Sequence, residues 1–194
     1  MMAYQRGDAA AFAELVTRHE KPLWSFLRRL TRDDGLAEDL LQETFMRVIH
    51  SASSWRPEAK FTTWIYTIAR NLCIDHARRQ AGRRALSLDG DGAREEDSSP
   101  RLHERVAAKE PDAERIAHNR ELARSLERAI AELPQPQREV FLMREVLELP
   151  FAEIAQVVNT SEATVKSRMR YALERLRAAL ADRRSERPVP EAEP

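Results

Sequence analysis

Residues 149–180 read LPFAEIAQVVNTSEATVKSRMRYALERLRAAL. A short apolar run with Ile154, Val157 and Val158 meets Asn159-Thr160, and a longer periodic stretch begins at Ser161. Ser161 is a natural N-cap, because its hydroxyl can accept from an unpaired amide of the first turn, and Glu162 complements the positive end of the helix dipole. On a helical wheel Val165, Met169, Ala172, Leu173, Leu176 and Leu180 share one side, while Lys166, Ser167, Arg170, Tyr171, Glu174 and Arg177 lie broadly opposite. One face is made for a core, and the other carries donors that fit base edges and phosphates, as in the recognition helix of a helix-turn-helix. Such helix pairs also occur throughout all-α proteins with their charges merely solvated, and this segment alone leaves both readings open. Asn159 stands in the turn where glycine is common, and asparagine tolerates the left-handed conformation such a turn needs.

Outward from this pair, the spacing predicts helices over 112–132, 135–147, 150–158 and 161–182, bounded by Pro134, Pro136, Pro150 and the Asn159-Thr160 turn. Before them, residues 81–111 hold Gly82, Gly90, Gly92, Ser98, Ser99, Pro100 and many carboxylates but few large apolar groups, the composition of a flexible linker. The tail SERPVPEAEP (185–194) is polar and proline-rich and is expected to be disordered.

An earlier block runs over 8–80. Asp8 is a candidate N-cap for a helix with Phe12, Leu15, Val16, His19, Leu23, Phe26, Leu27 and Leu30 at three- and four-residue spacing. Pro22 inside that pattern predicts a kink or break, since proline removes one backbone donor. A second helix over 36–50 turns Leu36, Leu40, Leu41, Thr44, Phe45, Val48 and Ile49 inward and carries Asp39, Gln42, Glu43 and Met46 on a second stripe. By residue type that stripe is either a solvated face or a protein-binding one. The loop SASSWRPE (51–58) leads into FTTWIYTIARNLCIDHARR (61–79), read as a helix ending near Gly82. There Phe61, Trp64, Ile65, Ile68 and Leu72 would cover a core, while Tyr66, Arg70, Asn71 and Arg78 project away. Amides and guanidiniums can bond base edges or phosphates, and aromatics stack on unpaired bases. Trp55 in the loop either caps the core or serves such stacking.

Composition agrees with two small all-α domains: glycine occurs only five times in 194 residues, and no alternating strand pattern appears. The net charge of zero hides segregation. Residues 60–84 carry six basic groups against one acidic, 89–114 carry four against nine, and 157–184 carry seven against three. Local field rather than total charge attracts phosphates. The single Cys73 excludes an internal disulfide and fits a reducing cytoplasm. No signal-peptide pattern or membrane-length apolar run is present, so a cytoplasmic protein without membrane insertion is expected. Cys73 and His76 are too few for a zinc site, and no phosphate loop or nucleophile motif appears. No metal, no cofactor and no catalytic residue is therefore expected.

The three constellations, in this order, resemble the bacterial extracytoplasmic-function (ECF) sigma factors, the promoter-recognition subunits of RNA polymerase. GDAAAFAELVTRHEKPLWSFLRRL (7–30) resembles the opening of their region 2, and AEDLLQETFMRV (37–48) their polymerase-binding helix. WRPEAKFTTWIYTIARNLCIDHARR (55–79) is similar to the promoter-melting segment, and ELPQPQREVFLMREVLELPFAEIAQVVNTSEATVKSRM (132–169) to region 4. The resemblance implies a region 2 helical bundle and a region 4 helix-turn-helix domain on a flexible linker. It implies a subunit that binds core polymerase, directs it to promoters and assists their melting. Asp39, Gln42, Glu43 and Met46 would face the beta-prime clamp helices, with the beta subunit a further contact of the holoenzyme. Trp55, Arg56 and Lys60 would sit where the family captures a flipped minus-ten base, with Arg70, Asn71, Arg78 and Arg79 on the same DNA. Thr164, Lys166, Ser167, Arg170 and Tyr171 would meet the minus-thirty-five element. An anti-sigma factor is expected as a partner, and the acidic linker reads either as an RNA mimic or as a solvated tether. EVLELPF (145–151) lacks the glycine often found ahead of the helix pair, and SEAT (161–164) replaces the usual small-Gly-Thr start. A helix-turn-helix activator that is not a polymerase subunit would explain the second block and leave the first unexplained.

Overall fold

A computed structural model describes residues 1–58, 60–86 and 113–185, with helices in both blocks and no strand among them. The order is α1 (Met2–Gln5), α2 (Ala9–Thr31), α3 (Asp34–His50), a 3-10 turn (Ala52–Ser54), α4 (Phe61–Leu86), α5 (Ala113–Glu132), α6 (Gln135–Glu145), α7 (Phe151–Val158) and α8 (Glu162–Ser185). The linker and tail expectations fall, beyond Leu86 and Ser185, outside the described residues. Residues 81–86 continue α4 rather than opening the linker, with Gly82 inside the helix.

Local chemistry sets the helix ends. Asp8 Oδ1 accepts from Ala11 N at 3.1 Å, and Asp33 Oδ1 accepts from Leu36 N at 2.9 Å, so both N-caps satisfy an orphan amide. Ser161 Oγ accepts from Thr164 N at 3.2 Å and does the same for α8. Asn159 ends α7 with φ 51°, the left-handed turn expected of it. Glu148, ahead of the helix pair, also takes a positive φ, 53°, a conformation that glycine adopts at least cost.

Two expectations about the first block are corrected. Pro22 does not break α2, which runs on from Ala9 to Thr31. Leu23, Phe26, Leu27 and Leu30 immediately beyond it are buried, and that packing outweighs the one hydrogen bond proline cannot donate. Tyr66 does not project outward. It is 3% exposed and meets Phe26 edge to face at 5.8 Å. Helix α4 contacts α2, α3 and α7, so its buried arc widens to include Ile65, Tyr66, Ala69, Leu72 and Cys73. Burial pushes the Cys73 thiol up to about 12, which keeps it protonated and unreactive at neutral pH.

The two blocks are in contact. Helix α7 packs on α4 and α6 on α2. Arg32 of the first block donates to the Ala131 carbonyl of the second, a carbonyl that also accepts from Arg138 at 3.1 Å.

Candidate polymerase and nucleic-acid interface

Helix α3 divides its surface sharply. Ala37, Leu40, Thr44 and Val48 are buried, and Asp39, Gln42, Glu43 and Met46 are exposed in a stripe along the other side. Met46 is 49% exposed. Ile49, expected inward, is exposed as well, because it stands beside Met46 on the edge that no neighbouring helix covers. Glu43 accepts from Arg47 Nε at 3.0 Å in an exposed i,i+4 pair of little energetic weight. The stripe is thus acidic around an uncovered apolar pair.

The loop before α4 is more ordered than its serines suggest. Gln5 Nε2 of α1 donates to the Ala52 carbonyl at 2.7 Å and to the Trp55 carbonyl at 3.0 Å, tying the chain's first helix across the loop. Trp55 is 9% exposed, and its indole N–H has no acceptor. In the chain alone, then, Trp55 caps the core and does not offer an exposed stacking face. Arg56 is exposed, with Nη1 donating to the Ser53 and Trp55 carbonyls at 2.9 and 3.2 Å.

Helix α4 carries the remaining sequence-predicted residues of the first block, and they fall into two sets. Asn71, Arg78 and Arg79 are exposed. Lys60, one residue before the helix, and Arg70 are instead held by carboxylates of the second block. Lys60 Nζ lies 2.6 Å from Glu153 Oε1, and Arg70 Nε lies 2.8 Å from Glu139 Oε2. Thr63 Oγ1 donates to Glu153 Oε2 at 3.1 Å. Neither glutamate attracted notice in the sequence, where each reads as one more charge on an amphipathic helix. Spacing to Arg70 or Lys60, dozens of residues away, carries no local signal.

On α8, Val165, Met169, Ala172 and Leu176 are buried, as the wheel requires. Lys166, Ser167, Arg170 and Tyr171 are exposed, and Thr164 is half-buried at the cap, where its hydroxyl lies 2.9 Å from Ser161 Oγ. Lys166 pairs with Glu162 at 2.7 Å one turn back, and the Arg170 guanidinium stacks over the Tyr171 ring at 4.8 Å. Both contacts lie on the exposed side of α8 and, like the Glu43–Arg47 pair, carry little energetic weight.

Among the described residues no group of three or more His, Cys, Asp and Glu side chains is placed to hold a metal, and no helix is long and apolar enough to cross a membrane. What the geometry defines is an all-α protein of two helical blocks, with a helix-turn-helix in the second.

Comparison with known proteins makes the assignment. Sigma-70 region 2 matches residues 15–83, and Sigma-70 region 4 matches residues 123–176. The chain is 32% identical over 183 residues to the ECF RNA polymerase sigma factor SigE of Mycolicibacterium smegmatis, covering 93% of this chain and 66% of that protein. It is 30% identical over 178 residues to the ECF RNA polymerase sigma factor SigW of Bacillus subtilis, covering 92% and 93%. The fold is that of the sigma factor RpoE from Bartonella quintana, solved in complex with the anti-sigma factor NepR, with TM-score 0.69, 22% identity, and 88% and 97% of the two chains covered. The chain belongs to the ECF sigma factor family: it is a promoter-directing subunit of RNA polymerase, not an enzyme in its own right.

Proposed function

We propose that the α3 stripe binds core RNA polymerase, with Asp39, Gln42 and Glu43 pairing with cations of the beta-prime clamp helices and Met46 packing between them. The observation that carries this is the uncovered pair Met46 and Ile49 flanked by carboxylates, an apolar patch with a polar rim of the kind that marks an interface. The beta subunit is the proposed neighbour of the second block. Arg56, Asn71, Arg78 and Arg79, joined by Lys60 and Arg70, are assigned to the opened minus-ten strand. Trp55 is assigned to the wall of a base pocket in loop 51–60, its free indole N–H supplying a donor. Thr164, Lys166, Ser167, Arg170 and Tyr171 are assigned to the minus-thirty-five duplex. The likeness to RpoE supports an anti-sigma factor as a regulatory partner, and the role in transcription supports a cytoplasmic location.

Replacing Asp39 and Glu43 with alanine tests the α3 assignment. Both side chains are exposed, so the fold by circular dichroism stays unchanged while affinity for core polymerase falls. Unaltered core affinity in the double variant would remove the α3 stripe from the interface.

A further inference from the structure

The loop ahead of α4 is held largely by its own atoms. Ser54 N and Oγ donate to the Ser51 carbonyl at 3.1 and 2.8 Å, and Trp55 N donates to the Ala52 carbonyl at 3.3 Å. Arg56 Nη1 donates to the Ser53 and Trp55 carbonyls. The tie to another helix comes from Gln5 of α1. Its one amide nitrogen directs both hydrogens to Ala52 and Trp55, the carbonyls at the two ends of the 3-10 turn.

Helix α1 gives that amide a firm support. The Tyr4 ring lies 4.8 Å from Phe12 of α2, and Phe12 meets Phe45 of α3 edge to face at 6.4 Å. Beyond Gln5 the turn is closed by Gly7 N on the Tyr4 carbonyl at 2.9 Å and by Asp8 N on the Ala3 carbonyl at 3.2 Å.

Gln5 and Arg56 share the Trp55 carbonyl, and DNA acts on them differently. Arg56 is a cation assigned to the opened minus-ten strand, and a phosphate is a stronger ligand for a guanidinium than a neutral carbonyl is. A phosphate that takes Arg56 draws it off the loop. Gln5 is neutral and keeps its two bonds. It then fixes the backbone of Trp55, whose indole is assigned to the pocket wall, while a base leaves the stack. Capture has to offset unstacking, and a pocket already in shape loses less to ordering.

We propose that Gln5 is a positioning residue for promoter melting: without touching DNA, it keeps the Ala52–Trp55 backbone in the base-accepting shape while Arg56 moves to phosphate. This deepens the proposed function and rests on its assignment of loop 51–60 to the minus-ten base.

The test uses holoenzyme reconstituted from core polymerase and the full chain, on a promoter fragment chosen by run-off transcription. Copies of the fragment each carry one abasic site in the non-template minus-ten strand, and opening is followed by permanganate reactivity of unpaired thymines. Wild type slows most at one abasic position, which marks the captured base. Gln5→Ala slows opening of the intact fragment roughly five- to ten-fold, as expected for about one net hydrogen bond lost. On the fragment abasic at the marked position it slows opening less than about twofold, because the two losses act through one contact. Core affinity and the circular dichroism spectrum stay at wild-type values, Gln5 being exposed and outside the α3 stripe. Gln5→Glu, whose carboxylate donates to neither carbonyl, slows opening at least as much. Equal slowing by Gln5→Ala on every fragment would mean a general loss of stability and overturns the inference. A sensitive position with Gln5→Ala opening at the wild-type rate removes Gln5 alone and leaves the pocket standing. Wild type indifferent to every abasic site removes the pocket itself, and the inference falls with it.

Discussion

Replacing Gln5 with alanine removes two donors' worth of bonding from a loop that the proposed function places at the minus-ten base. Gln5 Nε2 reaches the carbonyls of Ala52 and Trp55 at 2.7 and 3.0 Å, from a position some fifty residues away in sequence. A typical intramolecular hydrogen bond contributes about 0.5–1.5 kcal/mol net, giving a ceiling of about 3 kcal/mol for the pair. Gln5 is itself exposed, so water replaces part of the lost bonding, and about 1–1.5 kcal/mol is expected. That corresponds to a roughly five- to ten-fold rise in local opening of the loop. Amide hydrogen exchange reads this directly at Ser54 and Trp55, whose N–H groups bond to the Ser51 and Ala52 carbonyls at 3.1 and 3.3 Å. Gln5→Glu, which turns a carboxylate toward two carbonyls, opens the loop further. Exchange at these two amides that is unchanged, or that rises equally across α2, α3 and α4, would refute the assignment of Gln5 as the loop's tether.

The other expectations concern the core, the recognition helix and the buried thiol. Phe26→Ala empties a fully buried site against Tyr66 and should cost about 3–5 kcal/mol, a fall in Tm of roughly 6–20 °C by thermal circular dichroism; a fall under about 2 °C would show the site collapses freely. Arg170→Ala should cost about 1–3 kcal/mol of discrimination at one base pair of the minus-thirty-five element, measured by competition among single-base variants. An equal loss on every sequence would make Arg170 a phosphate contact only. Cys73, with its thiol pushed up to about 12, should react with Ellman's reagent at pH 8 only as fast as the chain unfolds. Because the folded pKa exceeds the unfolded one, its contribution to stability is present below about pH 9 and is lost as pH rises toward 12. Fast labelling of native chain would contradict its burial.

The helices of both blocks, the caps at Asp8 and Ser161 and the turn at Asn159 were legible because each depends on neighbours a few residues apart. The buried face of α8 was legible for the same reason, since one helix packing on one partner has one apolar stripe. Tyr66 was misread because α4 is packed from several directions, and the width of a buried arc depends on how many partners a helix has. Pro22 was misread because a local penalty was set against tertiary burial that no local pattern reports. Trp55 was left open between two roles, and the burial of its side chain and the tie from Gln5 to its carbonyl depend on contacts across some fifty residues that no local pattern reports. Glu139 and Glu153 could not be found at all: a charge on a helix reads as solvated until the fold puts Arg70 or Lys60 beside it. The family resemblance pointed to Lys60 and Arg70 as DNA ligands, and their ion pairs with Glu153 and Glu139 in the chain alone left no trace in the local sequence.

The most direct measurement is run-off transcription by core polymerase, with and without the purified chain, across a set of candidate promoter fragments. The account requires new start sites that appear only with the chain and share minus-thirty-five and minus-ten sequences. It also requires them to weaken together when Asp39 and Glu43 are replaced by alanine. Binding to core with no start site beyond those of core alone would contradict it.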